Sequence, residues 1–162
     1  MSAFSEGEKM LVKQVTDINE KQRISREILE GLLEWFEVTE SRENFIAESA
    51  DQPFFAAFEN SEPVGFLCLK ETGRDSVELA VMGVKKDFHR HGAGRELFSA
   101  AKDFAAAEGY SFMQVKTVKM GMYEDYDRTN RFYISLGFKE LEVLPLWDEA
   151  NPCQVYVMYI GK

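Results

Sequence analysis

The chain reads as a single α/β domain over residues 1–162, with one mixed, mostly antiparallel sheet flanked by helices. Three observations predict it. Apolar residues first recur at helical spacing. From Pro53 the period changes to strand-like alternation. An apolar strand, a glycine turn, an amphipathic helix and another strand then follow in succession. A chain of 162 residues can bury a substantial core, and no repeat, low-complexity segment or Pro/Gly/Ser linker divides it.

Leu11 to Val15 reads as the first strand. Asn19 is placed to cap a helix running to about Phe36, with Ile24, Ile28, Leu29, Leu32, Leu33 and Phe36 on its apolar face. A second short helix is expected over Glu40 to Ala50. Pro53 to Glu59 and Val64 to Lys70 read as a hairpin around the turn Asn60-Ser61-Glu62-Pro63. Ser76 to Val84 is the third strand of the pattern that starts there. Helix Gly92 to Ala107 ends at Gly109, and Phe112 to Val118 follows as a strand parallel to Ser76–Val84. Asp127 to Leu136 is a helix stopped by Gly137. Phe138 to Leu144 and Cys153 to Ile160 are the last strands, joined by a loop from Trp147 to Pro152.

Composition excludes several classes. A net charge of −9 argues against sequence-independent nucleic-acid binding, which needs a basic face. No run is long enough to cross a bilayer, and the N-terminus lacks the profile of a signal peptide, so a cytoplasmic location is expected. The two cysteines, Cys68 and Cys153, lie among apolar neighbours and read as buried thiols. No Cys/His cluster has zinc-ligand spacing, so no metal is expected.

The most informative segment is Val77 to Gly94. Strand residues Val77-Glu78-Leu79-Ala80-Val81-Met82-Gly83-Val84 run into the turn Lys85-Lys86-Asp87-Phe88-His89-Arg90-His91-Gly92-Ala93-Gly94, which opens a helix beginning with Arg95 and Glu96. Small residues at a helix entrance let an anion reach the free N–H groups and the positive end of the helix dipole. The P-loop pattern is absent, and Leu97 occupies the third glycine position of a dinucleotide fingerprint. A tight turn without a ligand is the competing reading. Lys85, Lys86, Arg90 and Arg95 surround the turn with positive charge.

A second constellation is Tyr126-Asp127-Arg128-Thr129-Asn130-Arg131-Phe132-Tyr133, followed by Ile134-Ser135-Leu136-Gly137-Phe138. Together the two motifs resemble the GNAT N-acetyltransferase superfamily, over about Val64 to Ile160. In that family, Gln/Arg-x-x-Gly-x-Gly/Ala binds the coenzyme A pyrophosphate. A helix ending in Phe-Tyr-x-x-x-Gly-Phe packs near the acyl end. The resemblance implies a GNAT-like acyl-CoA N-acyltransferase fold, with acetyl-CoA as acyl donor. It places Met82, Val84, His89, Arg90, His91, Gly92, Ala93, Gly94 and Arg95 on the coenzyme, with Asp127 and Asn130. Two departures stand out: His89 replaces the usual Gln or Arg, and Asp127 stands where the family often has Asn.

The implied reaction is attack of a neutral amine on a thioester. It needs a base for the amine proton and an acid for the leaving thiolate. Glu78 is the candidate base, with an exposed glutamate on a half-buried strand as the equal alternative. Tyr133 is the candidate acid, since the family's helix tyrosine points at the coenzyme sulfur. Backbone N–H groups around Met82–Val84 are candidates for polarising the carbonyl, with Gly83 read as a bulge. Tyr123, Tyr126, Trp147, Trp35 and Phe36 are candidates for an acceptor pocket or for plain packing. The expected function is acetyl transfer to a primary amine in a ternary complex. A non-catalytic CoA or acyl-CoA-binding sensor or regulatory module is the alternative. The amine is unspecified, and homodimerisation is left open.

Overall fold

The computed structural model describes residues 10–161. The order is β1 (Leu11–Val15), α1 (Ile18–Glu30), α2 (Thr39–Glu48), β2 (Phe54–Glu59), β3 (Glu62–Gly73), β4 (Ser76–Val84), α3 (Ala93–Ala107), β5 (Phe112–Val118), α4 (Glu124–Leu136), β6 (Lys139–Asp148) and β7 (Asn151–Tyr159). The seven strands form one mixed sheet in the order β1-β2-β3-β4-β5-β7-β6, flanked by the four helices. The expected fold class is the one observed.

Most boundaries agree with the sequence pattern, and the departures have local causes. Asp17, not Asn19, caps α1, accepting the Glu20 N–H at 2.8 Å. The helix stops at Gly31 instead of Phe36, and Leu32–Phe36 continues as turns. Helix α4 begins three residues before Asp127. Asn60 and Ser61 alone make the β2–β3 turn, both at positive φ (52° and 67°), so β3 starts at Glu62. The expected Trp147–Pro152 loop is a tight hairpin, because Asp148 pairs with Asn151 and accepts from its side-chain amide at 2.8 Å.

The chain packs as two compact units, one comprising the residues up to Leu69 with Val81–Ala101, the other Lys70–Ala80 with the residues from Lys102 onward. Strands β3 and β4 and helix α3 contribute to both. In the first unit, Ile24, Ile28, Leu29 and Leu32 pack with Phe54, Phe66 and Val81, and Trp35 and Phe36 lie against this core. Gly83 serves that packing: a Cβ there would meet Ile28 at 3.0 Å and Leu32 at 3.1 Å. The approach of α1 accounts for a glycine at this position. In the second unit, β5 pairs parallel with β4 (Ser76 with Phe112, Glu78 with Gln114) and antiparallel with β7. Among the described residues, no helix is long and apolar enough to cross a membrane.

Candidate functional site

In the first unit the site begins at the end of β4. Burial alternates along that strand, with Val77, Leu79, Val81 and Gly83 inside. Glu78, Met82 and Val84 share the half-buried face, as period 2 requires. A short 3-10 turn, Lys86–Phe88, then redirects the chain. Arg90 (φ 68°) and Gly92 (φ 87°) both occupy the left-handed region, which folds the loop back onto α3. Nothing lies within 4 Å of a Cβ at Gly92, so that glycine answers to backbone conformation and not to crowding. Ala93 is buried and opens α3, whose first intrahelical bond runs from Glu96 N–H to Gly92 C=O at 3.0 Å. The N–H groups of Ala93 and Gly94 lie in the first turn of α3, ahead of that bond, where backbone donors suit an anion.

Side chains around the loop are less available than their charges suggest. His89 donates from Nε2 to the Val84 carbonyl at 2.7 Å and meets the Trp35 ring edge-on at 6.1 Å. His91 packs edge-on against Phe88. Lys85 reaches Glu27 at 2.9 Å and Glu62 at 3.2 Å. Burial pulls the Lys85 pKa down, and those two carboxylates more than offset it, leaving it above the ordinary lysine value. Lys86 pairs with Glu34, whose carboxyl that bond holds below its usual range. Of the four residues expected to form the basic surround, Lys85 and Lys86 are therefore already ion-paired. Arg90 is exposed, with no ion pair or hydrogen bond among the described residues.

In the second unit, Glu78 is mostly buried and ion-paired with Lys116, two residues beyond its ladder partner Gln114. Lys116 is not among the residues the sequence singles out, although period 2 along Phe112–Val118 puts Gln114 and Lys116 on one face. Tyr133 is 7% exposed, with the rings of Phe132, Phe138 and Tyr156 around it. Burial pushes its phenol well above the usual tyrosine range, and Tyr126 adds to the shift. Among the described residues, none hydrogen-bonds the Tyr133 hydroxyl, and its oxygen is not fully enclosed. The αL residue Gly137 (φ 108°) ends α4, and Phe138 N–H reaches back to Tyr133 C=O at 3.2 Å, fixing the Phe-Tyr-x-x-x-Gly-Phe ending.

Asp127 accepts the Gly121 N–H at 2.7 Å and so ties the β5–α4 connection to the helix. Asn130 departs from its expected coenzyme role. It is fully buried, and its amide donates to Val118 C=O at 2.9 Å and Tyr126 C=O at 2.7 Å. Its Oδ1 accepts the Tyr156 hydroxyl at 2.5 Å. With both amide hydrogens used, Asn130 has no donor left for a ligand. Cys68 and Cys153 are buried, and burial pushes both thiols up. Among the described residues, no group of His, Cys, Asp and Glu could hold a metal ion.

The family model of the acetyltransferase (GNAT) family matches residues 16–138. A protein assigned to the GNAT family from Desulfovibrio desulfuricans is similar with a TM-score of 0.83 and 16% identity, over 94% of this chain and 99% of its own. An aminoglycoside 6'-N-acetyltransferase complexed with coenzyme A is similar with a TM-score of 0.73 and 18% identity, over 93% and 97%. A GNAT family acetyltransferase from Elizabethkingia anophelis with acetyl-CoA bound has a TM-score of 0.70 and 15% identity, over 93% and 97%. At such identities the structures speak for the fold, while the family match spans most of the chain. The chain belongs to the GNAT family of acetyltransferases.

Proposed function

We propose that the protein transfers the acetyl group of acetyl-CoA to a primary amine, directly and within a ternary complex. The observation that carries this reading is Tyr133: a side chain packed among aromatic rings, protonated, with a hydroxyl that makes no hydrogen bond among the described residues. Such a hydroxyl keeps its proton for a ligand atom. The first-turn N–H groups at Ala93 and Gly94 and the exposed Arg90 would hold the pyrophosphate, with Met82 and Val84 offering backbone to the pantetheine arm.

Glu78 takes the amine proton, directly or through a water, as the nitrogen attacks the carbonyl carbon. The carbon–sulfur bond breaks, Tyr133 donates its proton to the leaving thiolate, and solvent restores the phenol. Amide and free thiol are the products. A covalent route through cysteine is disfavoured, because nucleophilic attack needs a thiolate and burial holds both thiols protonated.

One observation favours the second reading, an acyl-CoA-binding module without turnover. The Glu78 carboxylate is already engaged in an ion pair with Lys116. Calorimetric titration with acetyl-CoA, followed by thiol release with an amine panel, separates the two. The transferase reading expects turnover, with Tyr133→Phe and Glu78→Gln each losing about 100-fold or more in kcat at unchanged acetyl-CoA affinity. Affinity without turnover in the unmodified protein would establish the binding module instead.

A further inference from the structure

Within the second unit, two segments expose large apolar side chains next to each other. Met120, Met122 and Tyr123 lie on the β5–α4 connection, and Leu146 and Trp147 on the arm of β6 that enters the last hairpin. Two bonds fasten the segments together. Lys119 N–H donates to Pro152 C=O at 2.9 Å, and the Tyr123 hydroxyl donates to Ala150 C=O at 3.5 Å. Tyr123 also meets Tyr126 edge-on at 6.1 Å, and Tyr126 is close enough to act electrostatically on the Tyr133 phenol. The exposed Tyr123 thus leads along α4, through Tyr126, to Tyr133, whose hydroxyl has no hydrogen-bond partner among the described residues.

The same two segments are strongly acidic. Residues 119–128 and 146–152 carry Glu124, Asp125, Asp127, Asp148 and Glu149 against Lys119 and Arg128. Arg128 is already paired with Glu124 and Asp125. A neutral apolar ligand would not answer the net negative charge of these segments, and a compact hydrophilic amine would not cover the rings and methionines. An aromatic ammonium ion answers both, by stacking and by charge.

On the basis of the transferase reading above, we infer that the acceptor is a primary amine carrying an aromatic group, which packs on Tyr123 and Trp147 within the carboxylate rim. Thiol release from acetyl-CoA is measured with phenethylamine and with butylamine, on the full chain. The expected result is at least a tenfold preference in kcat/KM for phenethylamine. Tyr123→Ala and Trp147→Ala should collapse that ratio towards one through KM, while Tyr123→Phe and Trp147→Phe retain most of it, and thermal unfolding verifies that each variant folds. Equal use of both amines overturns the inference, as does a preference that survives both alanine variants. Acetyl-CoA binding with no turnover of any amine overturns the transferase reading separately. Fluorescence then decides this one: phenethylamine quenching lost in Trp147→Ala supports it, and no quenching overturns it.

Discussion

The Tyr156 hydroxyl donates a 2.5 Å hydrogen bond to Oδ1 of Asn130, with both residues fully buried. The bond joins β7 to α4, and the Asn130 amide carries the link on to β5 through Val118. Removing the phenol leaves a buried carbonyl oxygen unsatisfied. Tyr156→Phe is expected to cost about 1–3 kcal/mol, and Asn130→Ala more, because it strands three partners. Chemical denaturation measures both, with acetyl-CoA affinity expected to stay near the parent value.

The Tyr133 phenol makes stability depend on alkaline pH. Burial raises its pKa in the folded chain, with Tyr126 contributing. A raised value means the folded state favours the protonated form. The contribution is therefore complete below the ordinary tyrosine value of about 10, and is lost as pH rises through the folded value. Unfolding free energies between about pH 8 and 11 should fall less steeply in Tyr133→Phe than in the parent.

Both thiols should be silent in the native protein. Cys68 and Cys153 are inaccessible, and burial keeps them protonated. A disulfide-exchange reagent at neutral pH is expected to find no thiol until denaturant is added, and then two. Rapid native labelling would contradict the burial described for these residues.

Two glycines should fail for different reasons. Gly83→Ala places a methyl 3.0 Å from Ile28 and 3.1 Å from Leu32, an overpacking expected to cost about 1–3 kcal/mol. Gly92→Ala meets no atom but must hold φ at 87°, a backbone strain of about 1–2 kcal/mol in the loop that opens α3. Thermal unfolding should register both, and the Gly92 variant alone should weaken acetyl-CoA.

Arg90 and Lys85 separate by availability. Arg90→Ala is expected to weaken coenzyme A about fivefold and flatten the salt dependence, the scale of one exposed charge contact near 1 kcal/mol. Lys85→Ala should change affinity less, since its ammonium already serves Glu27 and Glu62. Titrations at low and high salt compare the two.

Local pattern carried much of the fold. Strands Leu11–Val15, Ser76–Val84 and Phe112–Val118 stand where alternation puts them, and Gly137 stops α4 as glycine should. Caps and turns were less legible, since Asp17 and Asn19 are both competent caps and only packing of α1 selects between them. The hairpin at Asp148–Asn151 depends on cross-strand pairing that periodicity does not encode.

By itself, the sequence determined the mixed sheet, the glycine loop opening α3 and the motif that places Tyr133 at the end of α4. These depend on contacts between residues near in the chain, whose period and backbone preference are written in their types. Tertiary structure alone decided which charges and polar groups are spent. Glu78 meets Lys116, Lys86 meets Glu34 and Asn130 meets Tyr156 across separations of 38, 52 and 26 residues. A residue's type states what it can bond. Only the packed chain states what it has bonded already, and so which groups, the Tyr133 hydroxyl among them, keep a hydrogen bond to give.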